Sequence, residues 1–240
     1  MTFTALIHGL AGVGKSRLTD TMPAPRLILD TEGRSRFLPS RKVWWDPLHD
    51  APPVNDGSWE TCVVTAHNMA VTQQAFTWLR SGQHPFVSAG VDSMMMAQKR
   101  IIDDVAGLNQ LREQDWGTVL RRTEGIVRDW TDLRLERSTG IQTVVFTVGT
   151  RERSGKYEPL LQGQLRDTIP YFFDTVGYLF VTNDPETGAT SRGLLIWPQA
   201  NFLAKDNTDA LPGPIIVDPR IDRMVELMQQ SAPKEGEVSA

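Results

Sequence analysis

Gly9-Leu10-Ala11-Gly12-Val13-Gly14-Lys15-Ser16 satisfies the pattern G-x-x-x-x-G-K-[ST] without a departure. Each residue type in it answers a need of polyphosphate chemistry. The glycines let consecutive backbone N–H groups turn inward and form an anion nest. A helix opening near Lys15 adds its positive end. The lysine ammonium suits β- and γ-phosphate oxygens, the Ser16 hydroxyl suits Mg²⁺, and Arg17 follows in the same turn. The plainer reading, a glycine turn with no ligand, is weakened by the apolar run before it and the helical run after it. A nucleoside triphosphate with Mg²⁺ is therefore the expected ligand.

Two carboxylates complete the candidate chemistry. Asp92 closes the run Pro85 to Val91, where a strand-end aspartate can hold magnesium through water. Capping the helix that starts at Met94 is its plainer role, and Ser93 can take that role instead. Glu32 follows the apolar run Arg26 to Asp30, and from there can orient and deprotonate an attacking water. Asp30-Thr31-Glu32-Gly33 is also an ordinary turn composition. Spacing alone leaves both readings of Glu32 open.

These residues need strands to place them, and the pattern supplies them. Thr2 to His8 reads as a buried strand and Ser16 to Thr21 as a helix ended by Pro23 and Pro25. Short strands are expected at Arg26 to Asp30, Val43 to Trp45, Thr61 to Thr65 and Pro85 to Val91. Helical spacing runs over His67 to Arg80 and Met94 to Arg112. A long amphipathic helix covers Trp116 to Leu133. Ile141 to Val148 is strongly β-prone, and Arg151 to Pro170, with no period, reads as a long loop. Phe172 to Thr182 and Ser191 to Trp197 read as a hairpin, and Ile221 to Gln229 as a last helix. This order predicts one α/β domain over residues 1–230, followed by a polar tail over 231–240. Its sheet is mostly parallel, flanked by helices, with an antiparallel hairpin extension at one edge.

The 240 residues carry a net charge of −4, so a nucleic-acid site has to be a local basic patch. A single cysteine, Cys62, excludes an internal disulfide and a thiolate metal cluster. No apolar run reaches the roughly 18–20 residues that span a bilayer, and no secretion signal precedes the first strand. No membrane role and a cytoplasmic location are expected. The stretch Lys99 to Arg137 holds eight Lys or Arg and eight Asp or Glu, a neutral solvated face. Trp116 and Trp130 sit at core spacing, whereas Trp44, Trp45 and Trp59 lie in irregular sequence and could stack on a base. His8 reads as a strand residue rather than a base.

Several segments together resemble one family. They are the early phosphate loop, Ile28-Leu29-Asp30-Thr31-Glu32-Gly33, Val91-Asp92-Ser93, Asp115-Trp116-Gly117 and Val144-Val145-Phe146-Thr147. Pro159-Leu160-Leu161-Gln162-Gly163, Ile169-Pro170, Phe173-Asp174-Thr175-Val176-Gly177-Tyr178-Leu179 and Ala204-Lys205-Asp206 follow in the same order. From Thr2 to Pro219 the string resembles the small RecA-type P-loop ATPases of bacteriophages, AAA-ATPase-like RecA cores tied to recombination and single-strand annealing. The resemblance implies a RecA-like fold, ATP and Mg²⁺ as cofactors, Glu32 activating water and Asp92 associated with magnesium. It implies that the strand ending at Val148 senses the γ-phosphate. There the sequence departs: Gly149-Thr150 stands where relatives place Gln or His, leaving Thr150 or Arg151 as substitutes. Lys205 resembles a basic residue that reaches a neighbouring subunit's ATP, although Asn207 replaces the arginine that often follows it.

The resemblance also implies single-stranded DNA as partner, a homo-oligomer (ring or filament), and a single-strand DNA-binding protein as a further partner. Arg151, Arg153, Lys156 and Arg166, set against Glu152 and Glu158 and joined by Tyr157, form the candidate DNA loop. With eight residues before Gly9, no separate polymerisation arm is expected, so assembly would use the core. Two other functions fit the same loop. One is a non-catalytic, nucleotide-gated recombination mediator. The other is a small-molecule kinase, with Arg121-Arg122 imitating a lid.

Overall fold

The computed structural model describes residues 1–107, 109–183 and 186–231. Strand β1 (Phe3–Gly9) is buried along its whole length and runs straight into the glycine loop, after which α1 spans Lys15–Thr19. Then come β2 (Arg26–Asp30), β3 (Lys42–Trp44), β4 (Thr61–Thr65), α2 (Met69–Ser81), β5 (Ser88–Asp92), α3 (Met94–Ala106) and α4 (Glu113–Asp132). The second half holds β6 (Thr143–Arg153), β7 (Lys156–Pro159), α5 (Leu165–Thr168), β8 (Thr175–Asn183), β9 (Thr190–Leu195), β10 (Lys205–Asp206), β11 (Ile215–Val217) and α6 (Ile221–Ser231).

The sheet order is β11-β9-β8-β1-β6-β5-β2-β4-β3, with β10 paired to β8 and β7 to β6. From β3 across to β8 every pairing is parallel, and β9, β10 and β11 add antiparallel pairs beyond β8. This is the expected α/β architecture, a mostly parallel sheet flanked by helices with its antiparallel addition at one edge. Alternation along the buried strands assigns each side chain to one of two cores. Phe3, Ala5 and Ile7 face α1 and α6, where Leu18, Met22, Ile221 and Met224 close the layer. Leu6, Leu27, Leu29, Val144 and Phe146 face the other layer, with Ala75, Leu79, Val127 and Trp130 of α2 and α4. Both faces of the central strands are therefore covered, which is why they read as apolar runs.

Three expectations are corrected. The residues after Val148 are not a long loop. Strand β6 runs on to Arg153, turns at Ser154 and Gly155, and returns as β7, pairing Arg153 with Lys156 and Thr150 with Pro159. Polar side chains on a two-stranded ribbon that leaves the core show no hydrophobic period, so the sequence signal was absent. Helix α3 stops at Ala106, before a Gly107 with positive φ, instead of reaching Arg112. Trp45 and Trp59 are core residues, packed on Trp78 and Phe86, while Trp44 is exposed on the edge strand β3. Of the expected turn over 183–188, residues 184 and 185 lie outside the described residues, as does the tail beyond Ser231.

His8 ties the sheet to its surroundings. It is fully buried; its Nε2–H donates to Leu203 O at 2.7 Å, which leaves Nδ1 to accept from the Thr150 hydroxyl at 2.9 Å. Burial lowers its pKa to about 4, so the ring is neutral at pH 7. A depressed histidine contributes stability that is present above pH 6.5 and lost as pH falls toward 4. Between pH 7 and 5 this loss amounts to about 2 kcal/mol. Thermal melts of His8→Gln beside the parent should show a shallower decline over that range; parallel declines would remove the assignment.

Candidate active site

The glycine loop takes its shape from close packing as well as chemistry. A Cβ on Gly9 would lie 2.5 Å from the Leu179 carbonyl oxygen of β8. Gly12 and Gly14 have φ of 83° and 101°, a region other residues rarely adopt. Lys15 Nζ donates to the carbonyl oxygens of Gly9 and Leu10, each at 2.9 Å, folded over its own loop. Burial lowers its pKa, while the carboxylates of Asp92 and Glu32 pull the other way.

Those carboxylates arrive from neighbouring parallel strands. Register places Asp92 opposite Asp30, so the carboxyl ends of β5 and β2 lie level beside the loop. Asp92 is buried, and burial raises its pKa despite hydrogen bonds from the Ser16 and Thr147 hydroxyls. No ion pair includes it among the described residues. A buried carboxylate that accepts from hydroxyls suits a divalent cation as its ligand. The described residues offer no group of three metal-ligating side chains. Mg²⁺ is commonly held by one or two carboxylates together with phosphate and water, and Asp92 beside the Ser16 hydroxyl matches that donor set.

Asp30 builds the turn that carries Glu32. Its Oδ1 accepts from the N–H groups of Glu32 (3.0 Å) and Gly33 (2.7 Å), and its Oδ2 from Ser35 N (2.8 Å). Glu32 Oε1 then accepts from Ser93 Oγ at 2.6 Å, and Oε2 lies 3.3 Å from Arg34 Nε. Ser93 thus starts α3 without a side-chain cap bond; its hydroxyl is directed to Glu32 instead.

The phosphate loop, Lys15, Ser16, Arg17, Glu32 and Asp92 line one cleft of ≈ 680 Å³, together with Gly149 and Thr150 at the end of β6's buried portion. Arg34 and Arg192 line it too, and sequence reading missed both. Arg34 had a signal, a cation two residues past Glu32. Arg192 had none: it lies on β9, and its Nε donates to Val13 O at 3.1 Å across 179 residues.

The remaining candidates lie elsewhere. Arg151 pairs with Glu158 at 3.3 Å, and Arg166 on α5 with Asp167 at 3.4 Å. Arg153 and Lys156 are exposed near the hairpin tip. Tyr157 does not offer a free ring: it stacks on Phe202 at 4.7 Å and 12°, in a cluster with Tyr178. Lys205 is outside the cleft, on β10 opposite Val176, with Nζ 5.9 Å from the exposed Tyr171 ring. Arg122 pairs with Asp104 at 2.6 Å on the α3–α4 surface, which removes the lid reading.

Parallel strands deliver a phosphate loop, a buried aspartate and a glutamate to one cleft, the arrangement of a P-loop nucleotide site. Residues 2–208 match the family AAA_24, described as an AAA domain, and the chain belongs to it. No curated protein matched. Among solved structures, the chain is similar to a KaiC-like protein, PH0186, from the hyperthermophilic archaeon Pyrococcus horikoshii OT3. The two share 15% identity at a TM-score of 0.46, covering 90% of this chain and 89% of that one. It is also similar to the flagellar accessory protein FlaH from Methanocaldococcus jannaschii. There the identity is 11% and the TM-score 0.43, with 91% and 87% covered.

Asp92→Asn separates stability from function. Removing a buried charge should raise the melting temperature of the ligand-free chain. The parent loses that stability as pH rises above the ordinary aspartate range, because its raised pKa favours the protonated fold. The same change should lower Mg²⁺-dependent ATP turnover by roughly 100-fold. Melting curves and phosphate release measure both, and a variant that melts lower but turns over normally would contradict the assignment.

Proposed function

We propose that this chain is an ATP- and Mg²⁺-dependent ATPase that binds single-stranded DNA and serves recombination or annealing, as in the small phage RecA-type proteins it resembles. The observation that carries the DNA reading is the continuity of β6. One strand lines the phosphate cleft with Gly149 and Thr150, then projects Arg153 toward Lys156 on the hairpin. A shift at the cleft end therefore reaches the basic tip through backbone already paired to β7.

In this reading Glu32 takes the proton of the attacking water, with Ser93 fixing the orientation of its carboxylate. Lys15, which donates to the Gly9 and Leu10 carbonyls, would turn to the phosphate oxygens, and Ser16 and Asp92 would hold Mg²⁺. The metal supplies charge neutralisation of the developing oxyanions. Arg153 and Lys156 meet DNA phosphates, with Arg151 and Arg166 joining if their carboxylate partners release them. Assembly of copies, a contribution of Lys205 to a neighbour's nucleotide, contact with a single-strand DNA-binding protein and a cytoplasmic setting belong to the same proposal. No helix among the described residues is long and apolar enough to cross a membrane.

A second reading is favoured by one contact. Glu32 is already engaged by Arg34 and Ser93, which suits a mediator that binds nucleotide without turning it over. Phosphate release with and without a single-stranded oligonucleotide separates the two. The ATPase reading expects DNA stimulation in the parent and a fall of roughly 100-fold or more in Glu32→Gln. Equal, near-background rates for both proteins would favour the mediator. The double change Arg153→Ala with Lys156→Ala should weaken oligonucleotide binding, flatten its salt dependence and leave basal turnover intact.

A further inference from the structure

The seam between β2 and β5 continues past the point where their ladder ends at Asp30 and Asp92. Thr31 carries it one residue further. Its N–H donates to the Asp92 carbonyl oxygen at 2.8 Å. Its hydroxyl accepts from Ser93 N–H at 2.8 Å and donates to the Ser93 carbonyl oxygen at 2.9 Å. Thr31 and Ser93 are both buried. Glu32 comes next in the chain, and its Oε1 accepts from the Ser93 hydroxyl. Thr31, Glu32 and Ser93 thus close a ring, joined by a peptide bond on one side and hydrogen bonds on the other.

We propose that Thr31 is a positioning residue for ATP hydrolysis. By holding the Ser93 backbone it fixes the hydroxyl that aims the Glu32 carboxylate at the attacking water; the inference rests on the ATPase reading above.

The chemistry of the contact is demanding. One side-chain atom has to donate and accept over a short reach, which a hydroxyl does and an apolar group of the same shape cannot. Without it the buried N–H and C=O of Ser93 lose a partner together. Those two backbone groups belong to the residue whose side chain touches Glu32.

The turn is also braced from outside. Arg100, on α3, donates from Nη2 to the Thr31 carbonyl oxygen at 3.1 Å and from Nη1 to that of His67 at 2.8 Å. The segments after β2 and β4 therefore hang on one guanidinium, whose planar fork suits two acceptors at a fixed spacing. Helix α3 starts directly after Ser93, so Ser93 and Arg100 lie at the start and on the body of one helix. Glu32 is tied to that helix twice, directly by the Ser93 hydroxyl and through Thr31 by Arg100. Such double anchoring matters because misplacing a catalytic group by about 1 Å can cost on the order of 100-fold in rate.

The test measures phosphate release and Mg²⁺–ATP affinity on the full chain. Thr31→Val keeps the side-chain shape and removes both hydroxyl bonds. It should lower kcat by roughly 30-fold while Mg²⁺–ATP Kd stays within about twofold, since the phosphate loop is untouched. Thr31→Ser, which keeps the hydroxyl, should stay within about threefold of the parent. Placed on Glu32→Gln, Thr31→Val should cost no more than about twofold further, because a residue that works through Glu32 then has nothing left to position. If Thr31→Val does not fold, Arg100→Gln takes its place, with the same pattern expected at about fivefold. Parent-like turnover, an equal loss in Thr31→Ser, or losses that multiply with Glu32→Gln would overturn the positioning role. A parent without turnover, or Glu32→Gln as fast as the parent, would instead overturn the ATPase reading, and this inference with it.

Discussion

A buried carboxylate at the end of a central strand organises this protein. Asp92 sits at the end of β5 among hydroxyl donors, and its burial disfavours its charged form. Such a group is costly in the ligand-free fold and is relieved when a cation arrives. The surrounding architecture holds that position. Register between β5 and β2 sets the depth of Asp92 and Glu32 together, and Thr147 on β6 and Ser16 on α1 supply the hydrogen bonds.

The same economy governs the loop. Gly9 is a glycine because β8 passes too close for any side chain, not only because phosphate must approach. Lys15 bonds to two carbonyls of its own loop, which holds the loop curled. Arg192 fastens the loop from outside through Val13.

His8 and the β6–β7 ribbon give the fold a route away from the cleft. His8 joins Thr150, at the phosphate side, to Leu203, whose segment pairs with Tyr157 of the ribbon. Tyr157 is consequently a packing residue in an aromatic cluster with Phe202 and Tyr178. The ribbon is thereby a firm element with exposed cations at its tip, a different object from the flexible basic loop that composition suggested.

The amino-acid sequence by itself determined what depends on neighbours along the chain. The phosphate loop, the strands feeding Glu32 and Asp92, the buried alternation and the antiparallel edge all rest on local spacing, and each was legible. Tertiary structure alone decided what depends on strand order. It brought Arg192 across 179 residues to Val13, set Asp218 beside Arg192, turned Trp45 and Trp59 inward and paired Arg122 with Asp104 away from the cleft. Arg34 stood in plain view beside Glu32, yet only the turn built by Asp30 shows that it meets that carboxylate. The physical reason is that periodicity reports which face of an element is buried, whereas pairing order in a parallel sheet is fixed by crossovers whose partners lie far apart in sequence.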